Sequence, residues 1–315
     1  MKFDWIRQQE GRYPVGLCCE LLGVSASGYY KARGAPPSER QAERDAVDAA
    51  VAAAFHGSYG IYGSRKVCIA IRRGGELRPC RNTVAASMRR QGLRSCVWRP
   101  KRPRTTISDP RHRKSRNLLA RDFSADAPNR KWVTDITYLS VGGRWAYLAA
   151  VTDLFSRRIV GWSVADHMEV SLVMDAMREA VEARRPRGRV EHEGVLSGEG
   201  LLLHSDRGSQ YTSAAFAGML ESLGVTQSMS RVGCCHDNAV AESVFGSVKA
   251  EWTDRFDYAD LDEARASVGY YINWFNTQRI HQTLGDVTPV EYEEAREGGG
   301  ADAPSEVPAG VVPDR

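Results

Sequence analysis

No stretch of this chain is apolar for the roughly 18 residues that a membrane-spanning helix needs. Residues Met1 to Arg12 also lack the apolar core of a secretory leader. The expectation is a soluble, cytoplasmic protein with no membrane partner. A disulfide framework is missing as well. The seven cysteines, Cys18, Cys19, Cys68, Cys80, Cys96, Cys234 and Cys235, are odd in number and partly adjacent. They form no Cys-x-x-Cys pair, and no His pair lies near two of them at zinc spacing. Reduced thiols of an intracellular protein fit this usage. Acid is scarce in one segment: Asp109 is the sole acidic residue between Arg94 and Arg116.

What is present is ordinary in bulk. The chain has 315 residues, 42% of them apolar, with a formal net charge of +4. That length suits two or three domains, each able to bury a core. The charge is unevenly placed, and local charge says more about partners than the total does.

The first segment reads as a helix-turn-helix over 1–35. Pro14 to Leu22 has apolar residues at helical spacing, Gly23 ends it, and Ser25 caps a short helix through Tyr30. A plain helical hairpin reads the same way. A second such unit is expected over 36–97. Ser38 with Gln41 opens a helix whose apolar face carries Ala46, Val47, Ala50, Val51, Ala54 and Phe55. Ser64 to Arg73 and Asn82 to Gln91 follow, stopped by Gly74-Gly75 and by Gly92. Arg81, Arg89 and Arg90 give the last helix a basic surface, either a DNA contact or a solvated face. A basic linker over 98–128 includes Lys101, Arg102 and Arg104, with Pro100, Pro103 and Pro110 holding it extended. It can track a phosphate backbone by releasing counterions, or serve as a tether, or both.

From Lys131 the pattern turns to strands. Trp132 to Leu139, Trp145 to Thr152 and Arg158 to Val164 form an expected antiparallel meander, with Val141-Gly142-Gly143 in the first turn. A helix over Ser171 to Ala183 follows, then a polar loop over Arg184 to Gly200. Leu201-Leu202-Leu203 is a short buried strand, Ala214 to Leu223 a helix, and Val225 to Ser228 a last strand. Asp237 to Trp252 and Leu261 to Phe275 are closing helices. This order predicts an α/β domain over 129–295: a ribonuclease-H-like mixed sheet flanked by helices, preceded by the all-α helix-turn-helix region. The Gly-, Ala- and Pro-rich residues 296–315 are expected to be a disordered tail.

Three carboxylates stand at telling places in that order. Asp135 lies mid-strand, where a charge is costly without a partner; a cation or an Arg would serve. Asp206 directly follows a buried strand, where ligands collect in α/β sheets, although turns also favour Asp. Glu242 lies on a helix, on one side with Asn238 and Lys249. Brought together, the three would hold two Mg²⁺ ions, with Mn²⁺ as a substitute, about 3.5–4 Å apart across a phosphodiester. An enzyme that cuts and joins DNA strands is the expectation.

The runs carrying these residues are Trp132-Val133-Thr134-Asp135-Ile136-Thr137-Tyr138, His204-Ser205-Asp206-Arg207-Gly208-Ser209-Gln210-Tyr211 and Asp237-Asn238-Ala239-Val240-Ala241-Glu242-Ser243. With Tyr271-Ile272-Asn273-Trp274-Phe275-Asn276-Thr277-Gln278-Arg279-Ile280-His281-Gln282-Thr283-Leu284-Gly285, they resemble the DDE transposases of the insertion sequence 3 family, second reading-frame product. Retroviral integrases are a more distant likeness. The resemblance spans about Phe3 to Tyr292. It implies catalytic and metal-holding roles for Asp135, Asp206 and Glu242, and a DNA contact near the element terminus for Lys249. It also marks Tyr62-Gly63-Ser64-Arg65-Lys66-Val67 as the start of an accessory helix-turn-helix domain.

The implied reaction is cleavage of element ends and transfer of their 3′-hydroxyls into target double-stranded DNA. It takes place at the bacterial nucleoid, in a homo-oligomer that pairs two ends. The family's active enzyme is typically a frameshifted fusion with an upstream product, which makes such a product an expected partner. Two departures stand out. Cys234-Cys235-His236 replaces an expected Asn-Cys-Tyr in a loop beside the site, and the His-His-Cys-Cys zinc domain of retroviral integrases is absent. Two other readings predict different behaviour. A DNA-binding regulator would tolerate loss of all three carboxylates, and a structure-specific nuclease would hydrolyse DNA without defined ends.

Overall fold

The computed structural model describes residues 2–34, 39–97, 115–186, 190–192, 195–197, 200–231 and 234–297. Ser38 of the expected capping pair, the linker cations Lys101, Arg102 and Arg104, and the tail from 298 lie outside the described residues.

Helices α1 (Lys2–Gln9), α2 (Val15–Leu21) and α3 (Ala26–Gly34) close around Ile6, Cys18, Cys19 and Tyr29. The turn between α2 and α3 uses Gly23 at φ +61°. Ser25 Oγ then accepts the Gly28 N–H at 3.1 Å, satisfying an N-terminal helix donor.

Helices α4 (Glu39–Gly57), α5 (Ser64–Gly74) and α6 (Arg81–Arg90) bury Val51, Phe55, Val67, Cys68, Ile71, Val84 and Met88. This core does not end with the bundle. It runs on without a break into Leu139, Val141 and Leu148 of the sheet and Tyr271, Trp274 and Phe275 of a later helix. Tyr59 and Tyr62 stand at the junction, with ring centroids 5.3 Å from Trp252 and 6.1 Å from Trp274 respectively. Tyr62 Oη also accepts the Ile280 N–H at 2.8 Å.

The sheet is built from β1 (Lys131–Val141), β2 (Arg144–Asp153) and β3 (Ile159–Ala165), the expected antiparallel meander. Gly142 and Gly143, both at positive φ, make the two-residue turn between β1 and β2. Helix α7 (Val170–Arg184) then crosses the sheet. It approaches so closely that a Cβ on Gly161 would lie 2.3 Å from the Ala176 carbonyl and 2.5 Å from the Ala180 nitrogen. The expected polar loop contains a small hairpin, β4 (Val190–His192) with β5 (Val195–Ser197). Strand β6 (Leu202–Ser205), helix α8 (Ala214–Ser222) and strand β7 (Thr226–Met229) complete the layers. Strand order is β3-β2-β1-β6-β7, with β6 parallel to β1 and β7 parallel to β6. This is the ribonuclease-H-like mixed sheet. β1 is central and covered on both faces, so Trp132, Val133 and Thr134 are all buried rather than alternating.

Helices α9 (Ala239–Glu251), α10 (Leu261–Thr277) and α11 (Pro289–Glu297) close the chain. The last of these was not anticipated from the sequence. Both sheet edges are covered. On β3, Asn276 bonds both backbone groups of Ile159, Glu179 accepts the Trp162 N–H, and Arg265 donates to the Val164 carbonyl. Along β7, Ser228 Oγ accepts the N–H groups of Leu118 and Leu119, and the Met229 N–H reaches the Arg116 carbonyl. Edges occupied in this way cannot pair with a foreign strand.

Candidate active site

Asp135 and Asp206 meet because β1 and β6 are adjacent and parallel. Val133 is in register with His204, so the residues two further on stand at one level, Asp135 within β1 and Asp206 just past the end of β6. Strands so paired run about 4.8 Å apart. Asp135, opposite Ala150 of β2, is half-buried, and its Oδ1 accepts the Ile136 N–H at 2.8 Å. Burial above all, then the charges of Asp206 and Glu242, pushes its carboxyl up to about 8. Asp206 accepts the Gly208 N–H at 2.8 Å, so it is a turn-forming Asp as well as a site residue. Burial raises its pKa too. Glu242 lies exposed in the first turn of α9. Its charge reaches Asp135, which joins all three carboxylates in one electrostatic neighbourhood.

Among the described residues, no Arg or Lys pairs with Asp135 or Asp206. Of the two partners that the sequence allows for Asp135, the Arg is therefore not found among them. No three His, Cys, Asp or Glu side chains among the described residues form a ready cage for a metal ion. The two aspartates and Glu242 are instead open oxygen-bearing groups, and the charges of Asp206 and Glu242 both disfavour ionisation of Asp135. That chemistry fits a hard cation that keeps waters and takes substrate oxygens as further ligands.

Two residues of the Asp206 run support the site from below. Tyr211 is buried, and its hydroxyl lies 3.2 Å from Thr134 Oγ1. Burial, then the charges of Asp135 and Asp206, raises its pKa well above the usual phenol value. His204 is buried between Ser228 Oγ at 2.8 Å and Ser230 Oγ at 3.1 Å. Burial lowers its pKa to about 4, so it is neutral at pH 7 and serves as a pillar. Both residues lie in the His204–Tyr211 motif, but the sequence alone assigns them no role. Burial is the missing signal, and one strand's pattern does not reveal it.

Lys249 requires a correction. Expected as a DNA contact, it is instead only 7% exposed. Its ammonium donates to the Tyr138 carbonyl at 3.2 Å, sits 4.1 Å from the Tyr138 ring centre and lies 3.9 Å from Asp254. The helical face that carries Lys249 packs on β1, so a contact with DNA would require this lysine to leave those partners. Asn238 is buried as well, in the 3-10 turn Cys235–Asn238 that precedes α9. Arg81 and Arg89 are exposed on α6, but Arg90 is paired with Asp48 of α4 at 2.6 Å.

The fold and the family matches that follow define a class: an integrase-core enzyme, a polynucleotidyl transferase that acts on DNA. Residues 125–235 match the family described as integrase core domain, and residues 223–289 match a second family of that description. Residues 42–102 match an HTH-like domain. Over 275 residues the chain is 38% identical to the transposase for insertion sequence element IS986/IS6110 of Mycobacterium tuberculosis, covering 87% of this chain and 96% of that protein. Over 299 residues it is 37% identical to transposase InsF for insertion sequence IS3A of Escherichia coli K12, covering 93% and 98%. The chain belongs to this IS3/IS6110 family of insertion-sequence transposases. Among solved structures, the HTLV-2 integrase catalytic core domain in complex with magnesium aligns at a TM-score of 0.41 and 16% identity, over 54% of this chain and 99% of that one. A chain of the simian T-cell lymphotropic virus intasome with PP2A regulatory subunit B56 gamma aligns at 0.45 and 16% identity, over 66% and 67%.

Proposed function

We propose that Asp135, Asp206 and Glu242 are the catalytic carboxylates of this transposase and that they hold divalent metal, two Mg²⁺ ions with Mn²⁺ as a substitute. The observation that carries this reading is that Asp206 and Glu242 both act on Asp135, while no Arg or Lys among the described residues pairs with Asp135 or Asp206. When bound, the metal would supply activation of the attacking oxygen and stabilisation of the leaving one. The chain's own residues fix the geometry. The β1–β6 register levels the aspartates, and Tyr211 and His204 brace the strands beneath them. Glu242 comes from the first turn of α9.

In the first step a water oxygen bonds to the phosphorus at the element end, and the departing bond frees a 3′-hydroxyl. In the second, that hydroxyl oxygen bonds to a target phosphorus and displaces a target 3′-oxygen. Neither step needs a covalent protein intermediate.

The functional division that accompanies this proposal is 1–35 and 36–97 as DNA-binding helical units, 98–128 as linker, 129–295 as catalytic domain and 296–315 as tail. DNA contacts fall to Arg81 and Arg89, with Arg90 sharing its charge with Asp48. Lys101, Arg102 and Arg104 belong to the same footprint, and Lys249 joins it only on release from Tyr138. Pairing of two ends calls for a homo-oligomer, and a fusion with an upstream product would supply terminus recognition at the nucleoid.

The test is strand transfer by purified protein on a labelled duplex bearing the element's own end, in Mg²⁺ or Mn²⁺. Joining by wild type and none by Asp135→Asn is expected. Joining by Asp135→Asn would refute the site, and DNA cleavage without end preference would favour a nuclease.

A further inference from the structure

Asp237 is fully buried, yet it is not one of the three carboxylates. Its two oxygens accept five hydrogen bonds. Arg231 gives three, from its backbone N–H at 3.0 Å, Nε at 2.9 Å and Nη2 at 3.0 Å. Arg121 Nε gives one at 2.8 Å and Asn117 Nδ2 one at 2.9 Å. The Arg231 guanidinium, foremost among these partners, holds the carboxyl well below the usual carboxylate range. Asp237 sits in the 3-10 turn that runs straight into α9, a little over one helical turn before Glu242.

The partners Asn117 and Arg121 belong to a segment that touches the neighbours of all three acids. Leu119, 2% exposed, is buried in one cluster with Val133, two residues before Asp135, and Ala241, one before Glu242. Leu118 and Leu119 donate to Ser228 Oγ, which in turn bonds His204, two residues before Asp206. The segment reverses at Ala120 and Arg121, at φ +49° and +66°. This left-handed backbone is costly for residues with a side chain and persists where surrounding contacts hold it. The reversal lets Leu119 enter the core while Arg121 reaches Asp237.

We propose that residues 115–121 form a positioning segment of the active site, with the Arg121–Asp237–Arg231 cluster as its fastening. Docked, the segment ties the turn that starts the Glu242 helix to the strands that carry Asp135 and Asp206. This inference rests on the carboxylate reading above. Arg121 is a positioning residue: it acts on Glu242 through Asp237. Its side chain is 47% exposed, so its replacement leaves little buried unpaired and the protein folded.

The experiment compares full-length wild type, Arg121→Gln, Arg121→Lys, Asp237→Asn and Asp135→Asn in single-turnover cleavage and joining at saturating DNA. Affinity and melting temperature are measured on the same preparations. Arg121→Gln and Asp237→Asn should lose rate by up to about 100-fold, the scale expected of a misplacement near 1 Å. Affinity should stay within about twofold, and Arg121→Lys should restore part of the rate by keeping the charge but not the fork. Wild-type rates in Arg121→Gln beside a dead Asp135→Asn would overturn the fastening alone. A weakened affinity at unchanged saturated rate would make Arg121 a DNA contact and overturn it too. An equal loss in Arg121→Lys and Arg121→Gln that follows the melting temperature would reduce it to a fold contact. Activity in Asp135→Asn would overturn the carboxylate reading itself.

Discussion

At the scale of residues, the site is governed by what surrounds each carboxylate. Asp135 has a folded-state pKa of about 8 against an ordinary 3.8, because burial and two like charges disfavour its ionised form. The folded protein therefore holds that proton more tightly than the unfolded chain. Its contribution to stability is full below about pH 4 and is lost as pH rises towards 8. In EDTA, Asp135→Asn should melt above wild type at pH 8, with the gap closing as pH falls to 4. A gap independent of pH would refute this assignment of the titration. Glu242→Gln keeps size and polarity but removes the charge. It should cut strand transfer by at least about 100-fold, the scale seen for loss of one electrostatic stabiliser. DNA affinity, read by a filter or mobility assay, should hold. The carboxylates proposed from the sequence are residues whose type the proposed chemistry would dictate. Lys249 shows the limit: its spacing from Glu242 suggests one helical face, but its burial against Tyr138 of β1 is a contact between residues far apart in sequence.

At the scale of elements, close approach and register matter more than propensity. Helix α7 can lie on β3 because Gly161 has no side chain, and a methyl group there would meet the Ala176 carbonyl at 2.3 Å. Gly161→Ala should cost about 1–3 kcal/mol, as overpacking typically does, and more where backbone must shift. Urea unfolding at equal slope checks it, and an unchanged midpoint would show that α7 slides freely. The strands β1, β2 and β3 were legible because runs of β-branched and aromatic residues and a Gly-Gly turn are local signals. The pairing of β6 with β1 is not local. Its register levels Asp135 with Asp206, yet the two strands are separated in sequence by β2, β3, α7 and a hairpin. The α11 helix and the β4–β5 hairpin escaped for a related reason: both are short, and neither has a strong period.

At the scale of the whole molecule, the helices α4–α6 and the sheet share one core, which extends through Tyr59, Tyr62, Trp252 and Trp274. A buried ion pair ties α9 to the segment after α10. Arg279 binds Glu251 of α9 through two nitrogens, and Tyr271 donates to the same carboxylate at 2.8 Å. Arg279→Leu should destabilise the protein by about 3–5 kcal/mol, because it strands a buried charge. Adding Glu251→Leu should recover much of that loss. Denaturation of each variant decides it, and additive losses would show that the pair is not coupled. Tryptophan fluorescence and far-ultraviolet circular dichroism should report one shared transition for α4–α6 and the sheet.

The sequence by itself determined the class of chemistry. Carboxylates in three distinct motifs, a strand meander, basic helical units and the closing aromatic run are all local patterns, readable because each rests on neighbours in the chain. Tertiary structure alone decided which acids act on Asp135, that Lys249 turns inward, that the α4–α6 helices and the sheet share a core, and that Asp237 bonds Asn117 and Arg121. These depend on contacts between residues far apart in sequence. Burial and like-charge repulsion have no meaning until the chain brings the groups together.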